Sequence, residues 1–221
     1  SASSTSTITV NYAASNRKLT AGTDHSAASR TLTFNAGQTS KTFSVPITSD
    51  TMDEPNETVN LTLSSPVNAT LGTPSTAVLT IIDDDPTPTC YFSSATYSVS
   101  EAGGTATITV VLSNPSAWIV SCNYATSNGT ATAPADYTST SGTLDFTSGQ
   151  TSKTFTVPII NDTLDESDET VNLALSNPVN ATLGTPNTAV LTILDDDQTV
   201  PSVYFSKATY EIGEGGGGDS I

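Results

Sequence analysis

Hydrophobic and polar positions alternate with a period of two along most of the chain. The clearest runs are Phe43, Val45 and Ile47; Val59, Leu61 and Leu63; and Ala77, Leu79 and Ile81. A period of two places alternate side chains on opposite faces of a strand, one buried and one in water. No stretch of useful length repeats at the helical spacing. The pattern predicts an all-β chain.

The strands are organised in long repeats. The segment 49–85 recurs as 161–197 with 29 of 37 positions identical, at an offset of 112 residues. A third copy starts near the end, where 203–217 matches 90–104 at an offset of 113. A unit of this length is too long for a solenoid repeat and suits a β-sandwich of about 100 residues.

The repeats predict a division of the chain into one whole and two partial units. Residues 1–85 form a repeat that lacks its first two strands, and residues 90–197 form a complete repeat. Residues 203–221 carry the opening strand of a third repeat. The linkers are residues 86–89 and 198–202, and both contain proline, which favours a boundary.

The charge is strongly acidic. The chain has 22 Asp and Glu against 6 Lys and Arg, which gives a formal net charge of −16. Such a chain cannot neutralise a run of phosphates, so nucleic acid is excluded as a partner. No apolar stretch reaches the 18 residues or more of a membrane span, so direct membrane insertion is not expected.

The acids cluster at predicted strand ends, which gather at the poles of a sandwich. Converging carboxylates repel each other by about 4 kcal/mol per pair at 4 Å and an effective dielectric of 20, so they need a counterion. Oxygen ligands without paired His or Cys favour Ca²⁺ over Zn²⁺, and its flexible coordination suits a loop cluster better than Mg²⁺. The alternative is that the acids only keep the protein soluble.

Four separated segments resemble the Calx-β domain family. They are YFSSATYSVSEAGGTATITV (91–110), ADYTSTSGTLDF (135–146), NDTLDESDETV (161–171) and TAVLTILDDD (188–197). The resemblance implies tandem immunoglobulin-like, seven-stranded antiparallel β-sandwiches. Members of this family occur in cytosolic loops of sodium–calcium exchangers and in extracellular adhesion proteins, and many bind Ca²⁺ in loops at one end.

The resemblance also implies a set of Ca²⁺ ligands. In residues 90–197 they are Glu101, Asp136, Asp162, Glu166, Glu169, Asp195, Asp196, Asp197 and the carbonyl of Leu164. In residues 1–85 they are Asp24, Asp50, Glu54, Glu57, Asp83, Asp84, Asp85 and the carbonyl of Met52. Asn161 and Ser49 stand where strong binders of the family have a further Asp. Asp165, Asp168 and their counterparts are expected to be solvated.

The missing opening strands of the first repeat leave two explanations open. One is a cut through a longer array of repeats. The other is head-to-tail polymerisation, in which the tail 203–221 of one subunit adds strands to the first repeat of the next and donates Glu214 to its ion site. Cys90 and Cys122 are either a disulfide or two buried thiols.

The function expected from these features is structural. The chain is interpreted as part of an extracellular or cell-surface protein of adhesion, aggregation or filament building, with itself or other cell-surface molecules as partners. A Ca²⁺-sensing module of a membrane protein and a metal-free scaffold are the alternatives. The lone His25 has no nucleophile to pair with, and the acids lack the aromatic platforms of a sugar cleft, so no enzyme is expected.

Overall fold

A computed structural model describes residues 4–18, 25–26, 28–197 and 203–211, with the backbone alone for 16–18. The strands are β1 (Ile8–Lys18), β2 (Ser29–Phe34), β3 (Glu57–Val67), β4 (Thr76–Ile81), β5 (Thr89–Phe92), β6 (Thr96–Ser100), β7 (Thr105–Leu112), β8 (Val120–Asn128), β9 (Ser141–Phe146), β10 (Ser152–Pro158), β11 (Glu169–Val179), β12 (Thr182–Leu183) and β13 (Thr188–Leu194). A 3-10 turn spans Glu101–Gly103. The described residues contain no helix that could cross a membrane. The all-β prediction is confirmed.

Residues 90–197, called repeat 2 below, fold as a two-sheet sandwich. One sheet has the order β10-β7-β5-β12 and the other β6-β13-β11-β8-β9. Strand neighbours are antiparallel except for the pairs β5–β12 and β6–β13. The two sheets have four and five strands, whereas the predicted sandwich has seven strands in all. The excess arises because the opening segment is divided into β5 and β6, and because the two-residue β12 forms a separate short pairing.

The core of repeat 2 lies between its two sheets. Alternate residues of β10 and β13 are buried, as the period-two pattern predicts, and they include Phe155, Val157, Leu191 and Ile193. Cys90 on β5 and Cys122 on β8 are both fully buried and are paired as a disulfide that joins the sheets. The structure therefore decides between the two cysteine alternatives in favour of the disulfide.

Residues 1–85, called repeat 1, form a single four-stranded sheet of order β2-β1-β3-β4. The run from Phe43 to Ile47, predicted as a strand, is not one, although the equivalent residues of repeat 2 form β10. The reason is pairing: β10 is held by β7 over its whole length, and no counterpart of β7 lies among the described residues of repeat 1. Only Ile47 forms an isolated bridge, to His25. His25 is buried there rather than in an open loop.

The inner face of the repeat 1 sheet is consequently covered only in part. Val10, Tyr12 and Val59 on this face are buried. Ile47 is 48% exposed where its counterpart Ile159 is 6% exposed. Leu79 and Ile81 on β4 are half-buried, whereas Leu191 and Ile193 are buried. Both repeats nevertheless contain an equivalent pair of stacked aromatic rings. The ring centroids are 4.1 Å apart for Tyr12 and Phe43, and 4.0 Å apart for Tyr124 and Phe155.

Matched core substitutions will measure this difference. Val157→Ala is expected to lower the free energy of unfolding by about 2 kcal/mol, because Val157 is fully buried between two sheets. Val45→Ala, the same change at the half-buried counterpart, should cost less than half as much. Denaturant unfolding of the two variants checks this. Equal losses would show that repeat 1 has a closed core.

The two repeats meet at a small junction, which contradicts the expectation that Asp53 is solvated. Asp53 is 7% exposed. Its N–H donates to the carbonyl of Pro115 (3.1 Å) and its carbonyl accepts from Ala117 (3.0 Å). The Ser116 hydroxyl donates to the Asp53 carboxylate at 3.2 Å. The turn at 115–117 of repeat 2 thus holds the acidic loop of repeat 1.

Candidate metal centre

Four connections bring the acids of repeat 2 to one end of the sandwich. Glu101 opens the 3-10 turn after β6, and Asp136 lies between β8 and β9. Glu166 precedes β11 and Glu169 is its first residue. Asp195, Asp196 and Asp197 follow β13. The strands themselves end at this pole, so the sheet geometry, more than any local sequence, positions the carboxylates.

Two groups of carboxylates form there. Glu101, Asp195 and Asp197 make one group, and Asp136, Glu166 and Glu169 make the other. Within each group the carboxylate oxygens lie within 4.8 Å of one another. Between the groups is a small cavity of about 10 Å³, lined by members of both. Such a space holds about one water-sized particle.

Backbone N–H groups orient several of the predicted ligands. Asp162 donates to Oε1 of Glu101 at 3.0 Å, and Glu166 donates to Oδ1 of Asp195 at 3.3 Å. Ala102 donates to Oδ1 of Asp196 at 3.2 Å. These bonds tie the loop between β10 and β11 to the residues after β6 and β13, so the acids are fixed relative to one another.

Asp136 is held independently of the other acids. Its Oδ2 accepts from the N–H of Thr132 at 2.6 Å and from the Thr132 hydroxyl at 3.1 Å. Its carbonyl accepts from the N–H of Ile160 at 2.9 Å, which links it to the end of β10. One carboxylate oxygen is therefore anchored by Thr132, and the carboxylate lies in one group with those of Glu166 and Glu169.

The clustering raises the pKa of several carboxyls above the ordinary range. Burial, followed by the charge of Asp136 and a hydrogen bond with it, raises the pKa of Glu169 to about 7. Burial and neighbouring carboxylates also raise the pKa of Glu101, Glu166 and Asp197. These shifts mean that the ionised cluster is unfavourable without a cation.

The chain offers little basic charge to balance this pole. Lys153 is the only Lys or Arg between residues 90 and 197. It lies near the start of β10, whereas the acids lie beyond the other end of that strand, about 17 Å away at 3.3 Å per residue. Among the described residues, Oδ2 of Asp197 is buried and lacks a hydrogen-bond partner. An oxygen-only donor set of this kind fits a hard divalent cation such as Ca²⁺.

Three other predicted ligands of repeat 2 lie beside these groups without joining them. Asp162 accepts from the N–H of Leu164 at 2.7 Å, and Asp196 accepts from Ala102. The side chain of Leu164 is 60% exposed. The loop that carries Asp162 and Leu164 thus forms an outer rim of the cluster.

The equivalent pole of repeat 1 is open. An open cleft of about 370 Å³ is lined by the predicted ligands Asp50, Glu54, Glu57, Asp83, Asp84 and Asp85. Within the described part of repeat 1, no three of these acids come as close as the groups of repeat 2. Burial raises the pKa of Asp83 and Asp85, with smaller contributions from neighbouring acids. The N–H of Met52 donates to Asp50 at 2.8 Å. Asp24 and Glu214 lie outside the described residues.

Asp168 has a role that the sequence interpretation missed. Its carboxylate accepts the N–H of Asp195 at 3.2 Å, and in repeat 1 Asn56 accepts the N–H of Asp83 at 3.0 Å. The replacement of Asp by Asn between the copies keeps the acceptor and removes the charge. That pattern in the sequence is a signal for a residue that positions the segment after β13, although Asp168 is also exposed to solvent, as expected.

The metal-free chain should lose stability as the pH rises. Folded Glu169 keeps its proton up to a pKa of about 7, whereas the unfolded side chain loses it near its ordinary value of 4.5. Its contribution is therefore complete below pH 4.5 and is lost as the pH passes through 7. After Ca²⁺ has been removed and the chain exchanged into metal-free buffers, the melting temperature should fall between pH 5 and pH 8, and Glu169→Gln should flatten that slope. The same slope in Glu169→Gln and in the control Asp145→Asn would contradict the assignment.

Comparison with known domain families gives a match over both repeats. The model of the Calx-beta domain matches residues 1–85 and again residues 83–197. The chain belongs to the Calx-beta domain family. The resemblance found in the sequence is therefore confirmed, and the duplicated acidic pole is a feature of two successive Calx-beta domains.

Relatives of this Calx-beta chain include matrix proteins and ion exchangers. It is 33% identical over 190 residues to extracellular matrix protein 3 of Lytechinus variegatus, which covers 82% of the chain and 6% of that protein. It is 32% identical over 207 residues to human FRAS1-related extracellular matrix protein 2, covering 86% of the chain and 6% of that protein. Rat sodium/calcium exchanger 1 is 34% identical over 140 residues, covering 53% of the chain and 14% of the exchanger.

Solved structures show likeness to the same family. The apo-form Calx CBD1 domain covers 51% of the chain and 100% of that domain at 32% identity and a TM-score of 0.48. The calcium binding domain CBD12 of CALX1.1 covers 86% of the chain and 87% of that protein, at 19% identity and a TM-score of 0.43. The Calx-beta chain spans only 6% of the length of each of the two matrix relatives.

Proposed function

We propose that this chain is a structural segment of an extracellular protein, in which Ca²⁺ bound at the acidic pole of each Calx-beta repeat stiffens the loops. The observation that carries the proposal is the pair of carboxylate groups in repeat 2, with oxygens within 4.8 Å in each. Glu101, Asp195 and Asp197 would hold one ion, and Asp136, Glu166 and Glu169 another. Similarity to two extracellular matrix proteins supports the location.

The proposed function requires the protein only to bind Ca²⁺. The carboxylates supply negative charge and oxygen donors, and the N–H bonds to Glu101, Asp195 and Asp196 keep them in place. A bound cation would cancel the mutual repulsion of the acids and hold the loop between β10 and β11 to the turn after β6. The pole would then resist bending and proteolysis.

Calorimetry provides the direct test of this function. Titration with CaCl₂ should give binding heat at repeat 2, with Mg²⁺ binding more weakly because it demands a tight octahedron. The double variant Glu101→Gln with Asp136→Asn, which alters one member of each group, should lose this binding. Asp145→Asn, an exposed acid on β9 away from the pole, should retain it. Absence of Ca²⁺ heat from the unaltered chain would leave a metal-free scaffold.

The partly uncovered inner face of repeat 1 supports head-to-tail assembly as the structural role. The tail matches β5 and β6 in sequence, and residues 218–221 align with the first four positions of β7, where Ile221 corresponds to Ile108. Val203, Tyr204 and Phe205 in this tail are 98%, 82% and 75% exposed. The tail of one subunit would add its strands to repeat 1 of the next, and Glu214 would join that ion site.

The tail already has the local conformation of the opening of repeat 2. The ring centroids of Phe205 and Tyr210 are 6.4 Å apart, as are those of Phe92 and Tyr97. The Tyr210 hydroxyl accepts the N–H of Lys207 at 3.1 Å, and the Tyr97 hydroxyl accepts that of Ser94 at 3.3 Å. A segment that is already folded in this way loses less conformational entropy on insertion.

A Ca²⁺-sensing role is the second candidate, favoured by the junction. The loop that carries Asp50 and Glu54 also carries Asp53, which the turn at 115–117 holds. Ion binding to that loop would therefore reach the contact between the repeats. Small-angle scattering separates the candidates: a sensor should change its inter-repeat angle when Ca²⁺ is added, whereas a structural array should keep it.

A further inference from the structure

The loop between β8 and β9 is hydrogen-bonded to the start of β11 by two threonines. The N–H of Thr130 donates to Thr170 Oγ1 at 3.1 Å, and the N–H of Thr170 donates to Thr130 Oγ1 at 2.8 Å. Their hydroxyl oxygens are 3.3 Å apart and share a further hydrogen bond. The N–H of Ala131 also donates to the Thr170 carbonyl at 3.1 Å. Thr130 and Thr170 are called the threonine clasp below.

The threonine clasp joins the segments that carry two members of one carboxylate group. Asp136 lies in the loop that contains Thr130, and Glu169 directly precedes Thr170. Asp136 is fixed within its own loop, because its carboxylate accepts from the N–H and the hydroxyl of Thr132. The clasp therefore holds the loop of Asp136 against the strand that begins with Glu169.

The rest of this loop is anchored in the core of repeat 2. Oδ1 of Asn128 accepts from the N–H of Ala133 at 3.1 Å and from the hydroxyl of Tyr137 at 2.8 Å. Tyr137 is fully buried and directly follows Asp136. The side chain of Asn172 on β11 donates to the Asn128 carbonyl at 3.0 Å. The clasp thus closes a loop whose other contacts are already fixed.

Thr130 also borders the acids themselves. An open cleft of about 630 Å³ is lined by Thr130 and by the acidic segment Asp165, Glu166, Ser167, Asp168 and Glu169. Thr130 is exposed to solvent and Thr170 is half-buried. An exposed threonine can be replaced without disturbing the core, so its effect on the carboxylate group can be separated from an effect on folding.

Repeat 1 has a different sequence at the position of the clasp. It keeps the second threonine, as Thr58, but has Lys18 in place of the first, and a lysine has no hydroxyl to complete the pair. The close approach within the clasp also needs a glycine, because a Cβ on Gly129 would overlap the Thr170 carbonyl. Repeat 1 has Arg17 at that position. Within its described part, no three acids come as close as those of repeat 2.

We infer that the threonine clasp is a positioning element that raises the Ca²⁺ affinity of the group formed by Asp136, Glu166 and Glu169. It holds the segments of two ligands together before an ion arrives, so less conformational entropy is lost on binding. Partners of this kind, which orient ligands without binding the metal, contribute about 10–100-fold to metal affinity. The inference rests on the proposed function and deepens it by naming the residues that set the affinity of one ion site.

Calorimetric titration of the full chain with CaCl₂ tests the clasp. Thr130→Val keeps the shape of the side chain and removes its hydroxyl, and it should weaken binding at this group by about tenfold or more. Thr130→Ser keeps the hydroxyl and should bind like the native chain. Thr143→Val is the matched control, because it removes a threonine hydrogen bond to Asn123 (2.8 Å) within the paired strands β8 and β9. It should leave the Ca²⁺ affinity unchanged.

The double variant Thr130→Val with Thr170→Val gives a second readout. Because the two hydroxyls act as one unit, the double variant should lose no more affinity than the weaker-binding single variant. Additive losses would overturn the clasp, as would equal losses in Thr130→Val and Thr143→Val or a failure of Thr130→Ser to restore binding. Native affinity in Thr130→Val would overturn the clasp and leave the proposed function in place, whereas a native chain that binds no Ca²⁺ would overturn both.

Discussion

Chelation of Ca²⁺ is expected to lower the melting temperature of the chain by roughly 10–20 °C. A ligand at 100 times its dissociation constant stabilises the folded state by about 2.7 kcal/mol. Each kcal/mol shifts the melting temperature of a domain of about 100 residues, such as repeat 2 unfolding as its own unit, by about 4–8 °C. The effect arises at the pole of repeat 2, where like charges are brought together in two groups. Scanning calorimetry in CaCl₂ and in EGTA measures it.

Asp197→Asn makes this prediction specific, because the variant should change the melting temperature in opposite directions with and without Ca²⁺. In EGTA the variant should melt at or above the native temperature, since it removes a carboxylate whose pKa is raised by burial and by Asp195 and Asp196. In CaCl₂ it should melt below the native chain and lose at least half of the Ca²⁺ shift. Asp145→Asn should keep the full shift. A chelator shift of zero in the native chain would contradict Ca²⁺ binding at this pole.

Phe205→Asp is expected to abolish head-to-tail self-association of the chain. Phe205 is the counterpart of Phe92, which is fully buried in repeat 2, and burial of a Phe side chain contributes about 1.5–3 kcal/mol. An aspartate at that position would also have to enter the core without a partner. The combined loss should weaken association at least about 100-fold. Sedimentation velocity over a concentration series measures it.

Ala208→Asp is the matched control for the tail. It introduces the same charge three residues later, and its counterpart Ala95 is exposed in the complete repeat. Association should therefore survive this change. An equal loss of self-association in both variants would indicate general charge repulsion. A native chain that stays monomeric with Ca²⁺ present would contradict strand donation.

The difference between repeats 1 and 2 shows how much of the strand structure the alternation of apolar and polar residues can predict. Phe155 and Val157 alternate with polar residues and lie in β10, and the same alternation at Phe43 and Val45 forms no strand. A period of two states which face of a strand is apolar. It does not supply the partner strand that satisfies the backbone, and β7 fills that role only in repeat 2.

The acidic loops show that equivalent positions in the sequence can also have different environments in the structure. Asp53 and Asp165 occupy equivalent positions, yet one is buried against Ser116 and the other is exposed. Their environments differ because the turn at 115–117 contacts the first loop. Only residues 82–88 separate β4 from β5, which keeps that loop and that turn close together. No local pattern in the sequence encodes that contact, which depends on how successive repeats pack.

The sequence by itself determined the repeat unit, the all-β class, the family and the clustering of acids at strand ends. The family follows from the resemblance of four separated segments, and the other three follow from periodicity and composition, which are local properties of the chain. The tertiary structure decided which acids share a group, that Cys90 and Cys122 are bonded, and that the inner face of repeat 1 is only partly covered. Those features depend on the pairing of strands distant in sequence, and only the folded chain brings such strands together.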